Sequence, residues 1–209
     1  MYSIKLENIT KKFTGKTIFE NYNLSIKKGE YVCIAGESGK GKTTLLNIMG
    51  MLDYPDNGNV VICNNHNPKL NSKIGKLLLK NEIAYVFQNY GLVEDRTVKY
   101  NLEISAEFSK KNKENDYINA LNKVGLDKQI LKQKVFELSG GEQQRVALAR
   151  LHIKNFSIIL ADEPTGSLDA ANRDNVMSVF SELHKEGKTI IIVSHDKEVQ
   201  KCASRTIKL

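Results

Sequence analysis

The chain has 209 residues, with 31 Lys and Arg against 24 Asp and Glu and a formal net charge of +7. That length suffices for one α/β domain with a sizeable core, and no apolar run approaches the roughly 20 residues that span a bilayer. Met1-Tyr2-Ser3-Ile4-Lys5-Leu6-Glu7 lacks the apolar core of a signal peptide, so a cytosolic chain is expected, with any membrane role needing a separate partner; the positive charge suits nucleic acid, anionic lipid or a ligand such as ATP without choosing among them.

In chain order, Ile4 and Leu6 alternate with polar residues, as do Leu24 and Ile26 before the turn Lys27-Lys28-Gly29-Glu30. Val60-Val61-Ile62-Cys63 follows the breakers Pro55 and Gly58. These patterns predict short strands in a small, largely antiparallel sheet. Tyr31–Ala35, Ile83–Phe87, Ile158–Ala161 and Ile190–Val193 are instead continuously apolar, as parallel strands covered on both faces are. Cys33, inside the first of these, is expected to be a buried thiol; with Cys63 and Cys202 it makes neither a metal-ligand spacing nor a disulfide framework.

Directly after Tyr31–Ala35 comes Gly36-Glu37-Ser38-Gly39-Lys40-Gly41-Lys42-Thr43, then a helical run over Thr44–Met51. Strand, glycine-rich turn, Lys-Thr and helix together make a phosphate-binding loop. Glycines let backbone N–H groups close around phosphate oxygens, and the helix aims its positive end at the same anion. Lys42 is expected on the β- and γ-phosphates and Thr43 on Mg²⁺. Further on, Lys69, Lys73, Lys76 and Lys80 are spaced four, three and four apart, with Ile74, Leu77 and Leu78 between them. That reads as a basic stripe opposite an apolar one, a solvated face packed on the domain, with contact to anionic lipid or an acidic partner loop as the alternative.

From Gln88 to Asn155 the pattern turns helical: Val98–Phe108, then Tyr117, Ile118, Leu121 and Val124 ended by Gly125, then Val146, Ala149 and Ile153. Leu138-Ser139-Gly140-Gly141-Glu142-Gln143-Gln144-Arg145 opens the last of these. Ser139 can cap a helix starting near Glu142, whose N–H groups make a second anion site. The run Ile158-Ile159-Leu160-Ala161-Asp162-Glu163-Pro164 ends a buried strand in acid. Asp162 stands where a carboxylate holds Mg²⁺ through water. Glu163, next to it, points toward the γ-phosphate and can orient and polarise water. His66, His152 and His184 are expected at the surface; His195 closes the strand Ile190–Val193 within Ser194-His195-Asp196. Ligands in open α/β sheets sit at the strands' carboxyl ends, so these motifs should converge.

The phosphate loop, the Leu138–Arg145 octapeptide and the acidic strand end, in this order, resemble the ATP-binding subunit of an ATP-binding-cassette (ABC) transporter, over nearly the whole chain. The resemblance implies an α/β fold of P-loop NTPase type. Residues 1–209 form one cassette with a mainly parallel core sheet, a small antiparallel β subdomain and an inserted helical subdomain at approximately 89–155; the end at Leu209 leaves no segment for a C-terminal regulatory domain. It implies Glu163 as catalytic base, with Lys42 on the phosphates and His195 contacting the γ-phosphate and placing the water. Gln88 reaches the metal with Thr43 and Asp162, and senses the membrane subunit. The nucleotide site runs through Gly36, Glu37, Ser38, Gly39, Lys40, Gly41, Lys42, Thr43 and Thr44. Phe13 falls where the family places a ring against adenine; a core or surface Phe is the rival. The family more often has Pro and Ser where this chain has Glu37 and Lys40, and neither change removes a required group.

The same resemblance implies two subunits packed head to tail, so that Ser139, Gly140, Gly141 and Glu142 of one close on the ATP of the other. Ser139, Gly141, Ser167 and Asp169 then lie at the dimer interface. The segments Gly50–Gly58 and Pro164–Asp169 look like the branch with lipoprotein-release, macrolide-export and antimicrobial-peptide (bacteriocin) export ATPases. Expected are ATP and Mg²⁺, an integral membrane permease as partner, a homodimer with ATP bound, and a peripheral place on the inner face of the cell membrane. Two rivals are a regulator of a non-transporting membrane complex of the cell-division type, and a soluble ABC ATPase acting on nucleic acid or ribosomes. Only one ordinary subdomain's worth of chain separates Gln88 from Ser139 and there is one cassette, so no nucleic-acid partner is expected.

Overall fold

The fold is taken from a computed structural model. It describes the chain except residues 14, 107–112 and 167, and residues 170 and 171 by backbone alone. Strands β1 (Tyr2–Phe13), β2 (Lys16–Lys27), β4 (Asn57–Ile62) and β5 (Asn65–His66) form an antiparallel sheet in the order β2-β1-β4-β5. Strands β3 (Tyr31–Ala35), β6 (Ile83–Val86), β7 (Ile158–Asp162), β8 (Thr189–Val193) and β9 (Arg205–Lys208) form a parallel sheet in the order β6-β7-β8-β3-β9.

β3 and β8 are buried along their whole length, as a parallel sheet covered on both faces requires. On one side lies helix α1 (Lys42–Met49), whose Leu45, Leu46, Ile48 and Met49 join Ile4, Leu6 and Ile26 of the antiparallel sheet in one core. On the other side a second core gathers α3 (Val98–Ala106), α4 (Glu114–Lys123), α5 (Gly140–Ile153) and α6 (Ala170–Lys185), through Leu102, Tyr117, Leu121, Val146, Ala149 and Phe180. Each fully buried Leu, Val, Ile, Met or Phe among them contributes about 1.5–3 kcal/mol. Of the predicted stripes, Tyr117, Leu121 and Val124 are buried with Ile118 half-buried beside them, and Val146, Ala149 and Ile153 are buried. The predicted extension of α3 to Phe108 lies outside the described residues.

Four features differ from the sequence expectation. First, β1 and β2 are not short but twelve residues each, paired from Tyr2↔Lys27 to Phe13↔Lys16 with register shifts around Ile9. Their distal halves lack alternation because irregular pairing, with Asn8 and Asn21 at positive φ, breaks the period of two. Lys11 is buried there and satisfied by Asp53 Oδ1 and the Tyr54 carbonyl, both at 2.7 Å. Second, β9 completes the sheet beyond β3, a strand that its polar sequence conceals. Third, His152 is buried rather than at the surface, and His184 is half-buried, bonding the Gly29 carbonyl at 3.0 Å with its ring edge-on to Tyr31. Fourth, helix α2 (Lys73–Asn81) packs through Gly75 and Leu78, leaving Ile74 and Leu77 outside with the lysines rather than opposite them. The remaining helix, α7 (Lys197–Cys202), is capped by Asp196.

Candidate nucleotide site

β6, β7, β8 and β3 are consecutive in the parallel sheet, and each carries a motif at its carboxyl end. Neighbouring strands lie about 4.8 Å apart, so these four ends span only about 14 Å. Register, not sequence proximity, brings Gln88, Glu163, His195 and the phosphate loop to one edge. They line a cavity of about 620 Å³ together with Gly36, Ser38, Gly39, Gly41, Lys42, Thr43 and Thr44.

The loop is held open by backbone rather than side chains. Gly41 has φ +90°, and a Cβ there would stand 2.4 Å from Ile18 Cγ2 and 2.9 Å from the Phe19 ring. Only glycine fits both constraints. The Lys42 ammonium donates to the carbonyls of Gly36, at 2.9 Å, and Glu37, at 2.8 Å, so its charge sits inside the curl of the loop. Glu37 and Lys40 do not line the cavity; they face each other across 3.9 Å on the exposed outer side of the loop.

Thr43 Oγ1 donates to Asp162 Oδ1 at 3.3 Å. Burial pushes the Asp162 carboxyl up, with the Thr43 bond opposing it. Hydroxyl and carboxylate, with the Gln88 amide on the same cavity, make an oxygen set of the kind that suits Mg²⁺. Glu163 follows with φ +43° and its N–H on the Val193 carbonyl at 3.0 Å. This left-handed turn aims the side chain into the cavity, a strained conformation of the sort that collects at functional sites. Its Oε1 meets His195 Nδ1 at 3.0 Å, while Oε2 is buried with no hydrogen-bond partner among the described residues. That bond and the Glu163 charge hold the His195 imidazole above its usual pKa.

The octapeptide stands apart from this cavity. Ser139 caps α5, accepting from the Glu142 N–H at 3.4 Å, and the Glu142 carboxylate answers the Ser139 N–H at 2.9 Å and hydroxyl at 2.6 Å. These bonds hold the Glu142 carboxyl below its usual range. None of Ser139, Gly140, Gly141 and Glu142 lines the phosphate cavity, and Gly140 has open space where a Cβ would stand. Phe13 is also outside it: the ring is 45 % exposed with the Lys11 ammonium 4.7 Å from its centroid, and Ile18 lines the cavity instead. Asp169 caps α6 by accepting from the Asn172 N–H at 2.8 Å; Ser167 lies outside the described residues.

Two links escaped the sequence reading. The buried Gln144 amide donates to the Pro164 carbonyl at 2.6 Å, tying the octapeptide helix to the turn that carries Glu163. Arg145 Nη1 donates to Asn172 Oδ1 at 3.1 Å, and Asn172 Nδ2 donates to Asp169 Oδ2 at 2.8 Å. Both join residues whose partners lie 20 or more positions away, with no local pattern to announce them.

The comparisons with known proteins agree with this geometry. A family model described as ABC transporter matches residues 19–166. The macrolide export ATP-binding/permease protein MacB of Campylobacter jejuni is 41% identical over 209 residues, covering 99% of this chain and 32% of the relative. The MacB of Bartonella quintana is 40% identical, also with 32% of its length covered, so the chain spans about a third of these relatives. The uncharacterized ABC transporter ATP-binding protein YvrO of Bacillus subtilis is 41% identical, with 98% of this chain and 92% of that protein covered. Among solved structures, the dimeric MJ0796, a bacterial ABC transporter cassette, superposes with a TM-score of 0.88 at 38% identity over 99% of this chain and 94% of that one. A post-hydrolysis dimer of MJ0796 bound to ADP and Pi also gives 0.88, at 36% identity. By motif, strand order and likeness to known proteins, the chain belongs to the ABC transporter family, as one of its ATPase cassettes.

Proposed function

We propose that this chain binds ATP with Mg²⁺ at the carboxyl edge of the parallel sheet and hydrolyses it with Glu163 as general base, driving a membrane permease through ATP-dependent dimerisation. The observation that carries the reading is Glu163: it lines the same cavity as Lys42, with one oxygen engaged by His195 and the other buried with no hydrogen-bond partner among the described residues. An acceptor of that kind suits a water that must lose a proton.

Lys42 would exchange its bonds to Gly36 and Glu37 for the β- and γ-phosphates, and the loop N–H groups would surround the same oxygens. Thr43, Asp162 and Gln88 would hold Mg²⁺, which neutralises charge on the phosphates. Glu163 Oε2 accepts a proton from water as the water oxygen bonds to the γ-phosphorus. The bond from the γ-phosphorus to the bridging oxygen breaks, leaving ADP and inorganic phosphate. His195 holds Glu163 Oε1 and thereby turns Oε2 toward the water. Phe13 would stack on adenine once nucleotide is bound.

The octapeptide helix offers Ser139, Gly140 and Gly141 outward, away from the chain's own loop, as an arrangement in which each ATP lies between two copies requires. Asp169 and Ser167 would cross that interface. We read residues 1–209 as a single cassette with its helical subdomain at approximately 89–155. The MacB relatives are named for macrolide export, which favours an exporter; we read its substrate as of peptide, bacteriocin, drug or lipoprotein type, with the permease supplied by a separate polypeptide or by the same one, and a place on the inner face of the cell membrane. Sedimentation of Glu163→Gln with and without ATP tests the core of this reading: a monomer without nucleotide and a dimer with it are expected. A variant that remains monomeric at saturating ATP, while the wild type hydrolyses ATP efficiently, defeats it.

A further inference from the structure

The outward face of α2 combines two properties that the nucleotide site does not use. No Asp or Glu occurs from Asn57 to Asn81, while Lys69, Lys73, Lys76 and Lys80 do. Lys69, Lys73 and Lys76 are exposed and take part in none of the ion pairs found among the described residues. Amid them Ile74 is 49% and Leu77 48% exposed. At about 100° per residue Leu77 projects about 40° from Lys73 and about 60° from Ile74, with Lys80 about 20° beyond Lys73 on its other side, while Gly75 and Leu78 are the buried positions.

The face is rigid. Ser72 caps the helix by accepting the Gly75 N–H at 3.0 Å. A Cβ on Gly75 would lie 2.0 Å from the Lys69 carbonyl oxygen, so the backbone at Lys69 is pressed against the first turn of the helix. The Leu70 N–H is fixed in turn on the Tyr54 hydroxyl at 2.7 Å. No residue of α2 lines the nucleotide cavity.

We propose that this face binds the surface of an anionic lipid bilayer, with Lys69, Lys73 and Lys76 on headgroup phosphates and Ile74 and Leu77 in the interfacial layer. An acidic protein loop would satisfy the lysines but leave two half-exposed apolar side chains in water; a bilayer interface takes both kinds at once. Such a contact is additive to any permease docking and independent of the ATP chemistry. Each lysine near an anionic surface is worth about fivefold in partitioning, so three together bring on the order of 100-fold.

The test is flotation of the full chain with phosphatidylcholine vesicles, with and without phosphatidylglycerol. Binding is expected only with phosphatidylglycerol. The triple variant Lys69→Gln/Lys73→Gln/Lys76→Gln should lose on the order of 100-fold. The equally charged control Lys123→Gln/Lys128→Gln/Lys132→Gln should lose far less, and Ile74→Ser/Leu77→Ser should weaken binding with all lysines in place. ATPase activity of every variant is measured alongside and should stay at the wild-type level, so a failure of the ATPase reading shows separately. Absence of wild-type binding, or equal losses in the two lysine triples, overturns the proposal. So does an unaffected Ile74/Leu77 variant, most clearly if polyglutamate binds through the same lysines, the outcome expected of an acidic protein partner.

Discussion

His195 Nδ1 and Glu163 Oε1 lie 3.0 Å apart although 32 positions separate them, because β7 and β8 are adjacent parallel strands that end at the same level. The bond fixes Oε1 of a residue that lines the cavity, while Oε2 is buried with no hydrogen-bond partner among the described residues. Glu163→Gln keeps the shape and removes the proton acceptor; hydrolysis should fall by roughly 10²–10⁴-fold while ATP still binds. Phosphate release measured beside nucleotide binding checks this, and wild-type turnover would withdraw the assignment.

The same pair makes a prediction in pH. Glu163 raises the His195 pKa above its ordinary 6.5. The imidazolium–carboxylate contact therefore stabilises the fold fully below that ordinary value and is lost as pH rises through the raised one. An NMR titration of the His195 ring should give a midpoint above 6.5 that drops in Glu163→Gln. Identical midpoints in the two proteins would show that the contact does not form in solution.

Thr43 and Asp162 should govern metal dependence. Asp162→Asn keeps the contact with Thr43 and removes the charge that acts through water, so half-saturation by Mg²⁺ should rise by about 10- to 100-fold with metal-free nucleotide binding little changed. Burial raises the Asp162 pKa from 3.8, so its ionisation opposes folding: this group's contribution to stability declines as pH rises from 3.8 through the raised value. The Asn variant should flatten that part of the stability–pH curve, which denaturant midpoints taken across acid pH will reveal.

Phe13 is exposed and outside the cavity that Ile18 lines. If the ring closes on adenine, Phe13→Ala should raise the KM for ATP by about 5- to 150-fold, the equivalent of about 1–3 kcal/mol of stacking, at unchanged circular dichroism. An unchanged KM, together with a raised one in Ile18→Ala, would transfer the base contact to Ile18.

The octapeptide acts in trans on this reading. A Cβ at Gly141 would meet Arg145 and Asn172 at 3.6 Å, ordinary contact, so Gly141→Asp should fold. Its charge, like the bulk of Ser139→Arg, would then repel only the partner's nucleotide. Both variants should bind ATP normally yet neither dimerise nor hydrolyse it. Mixing Ser139→Arg with Lys42→Ala should restore part of the activity if one intact site suffices, since one of the two sites in the mixed dimer then carries no lesion. Loss of ATP binding by Ser139→Arg alone would contradict a role in trans.

Readable along the chain are the places where chemistry demands particular residues at fixed spacing: Gly36 to Thr43 after a buried strand, Asp162 and Glu163 after another, Ser139 capping α5. Each of these is local, because a phosphate loop, a strand end and a helix cap are built from neighbours in the chain. Continuous apolar runs likewise announced four of the five parallel strands. Contacts between distant residues emerge only from the folded molecule: His195 on Glu163, Gln144 on Pro164, Arg145 on Asn172, Lys11 on Asp53. It also decided that β9 pairs with β3 despite its polar sequence, and that Ile74 and Leu77 face outward. Strand order and helix rotation set those contacts, and both arise from packing over the whole molecule, which no local window of sequence encodes.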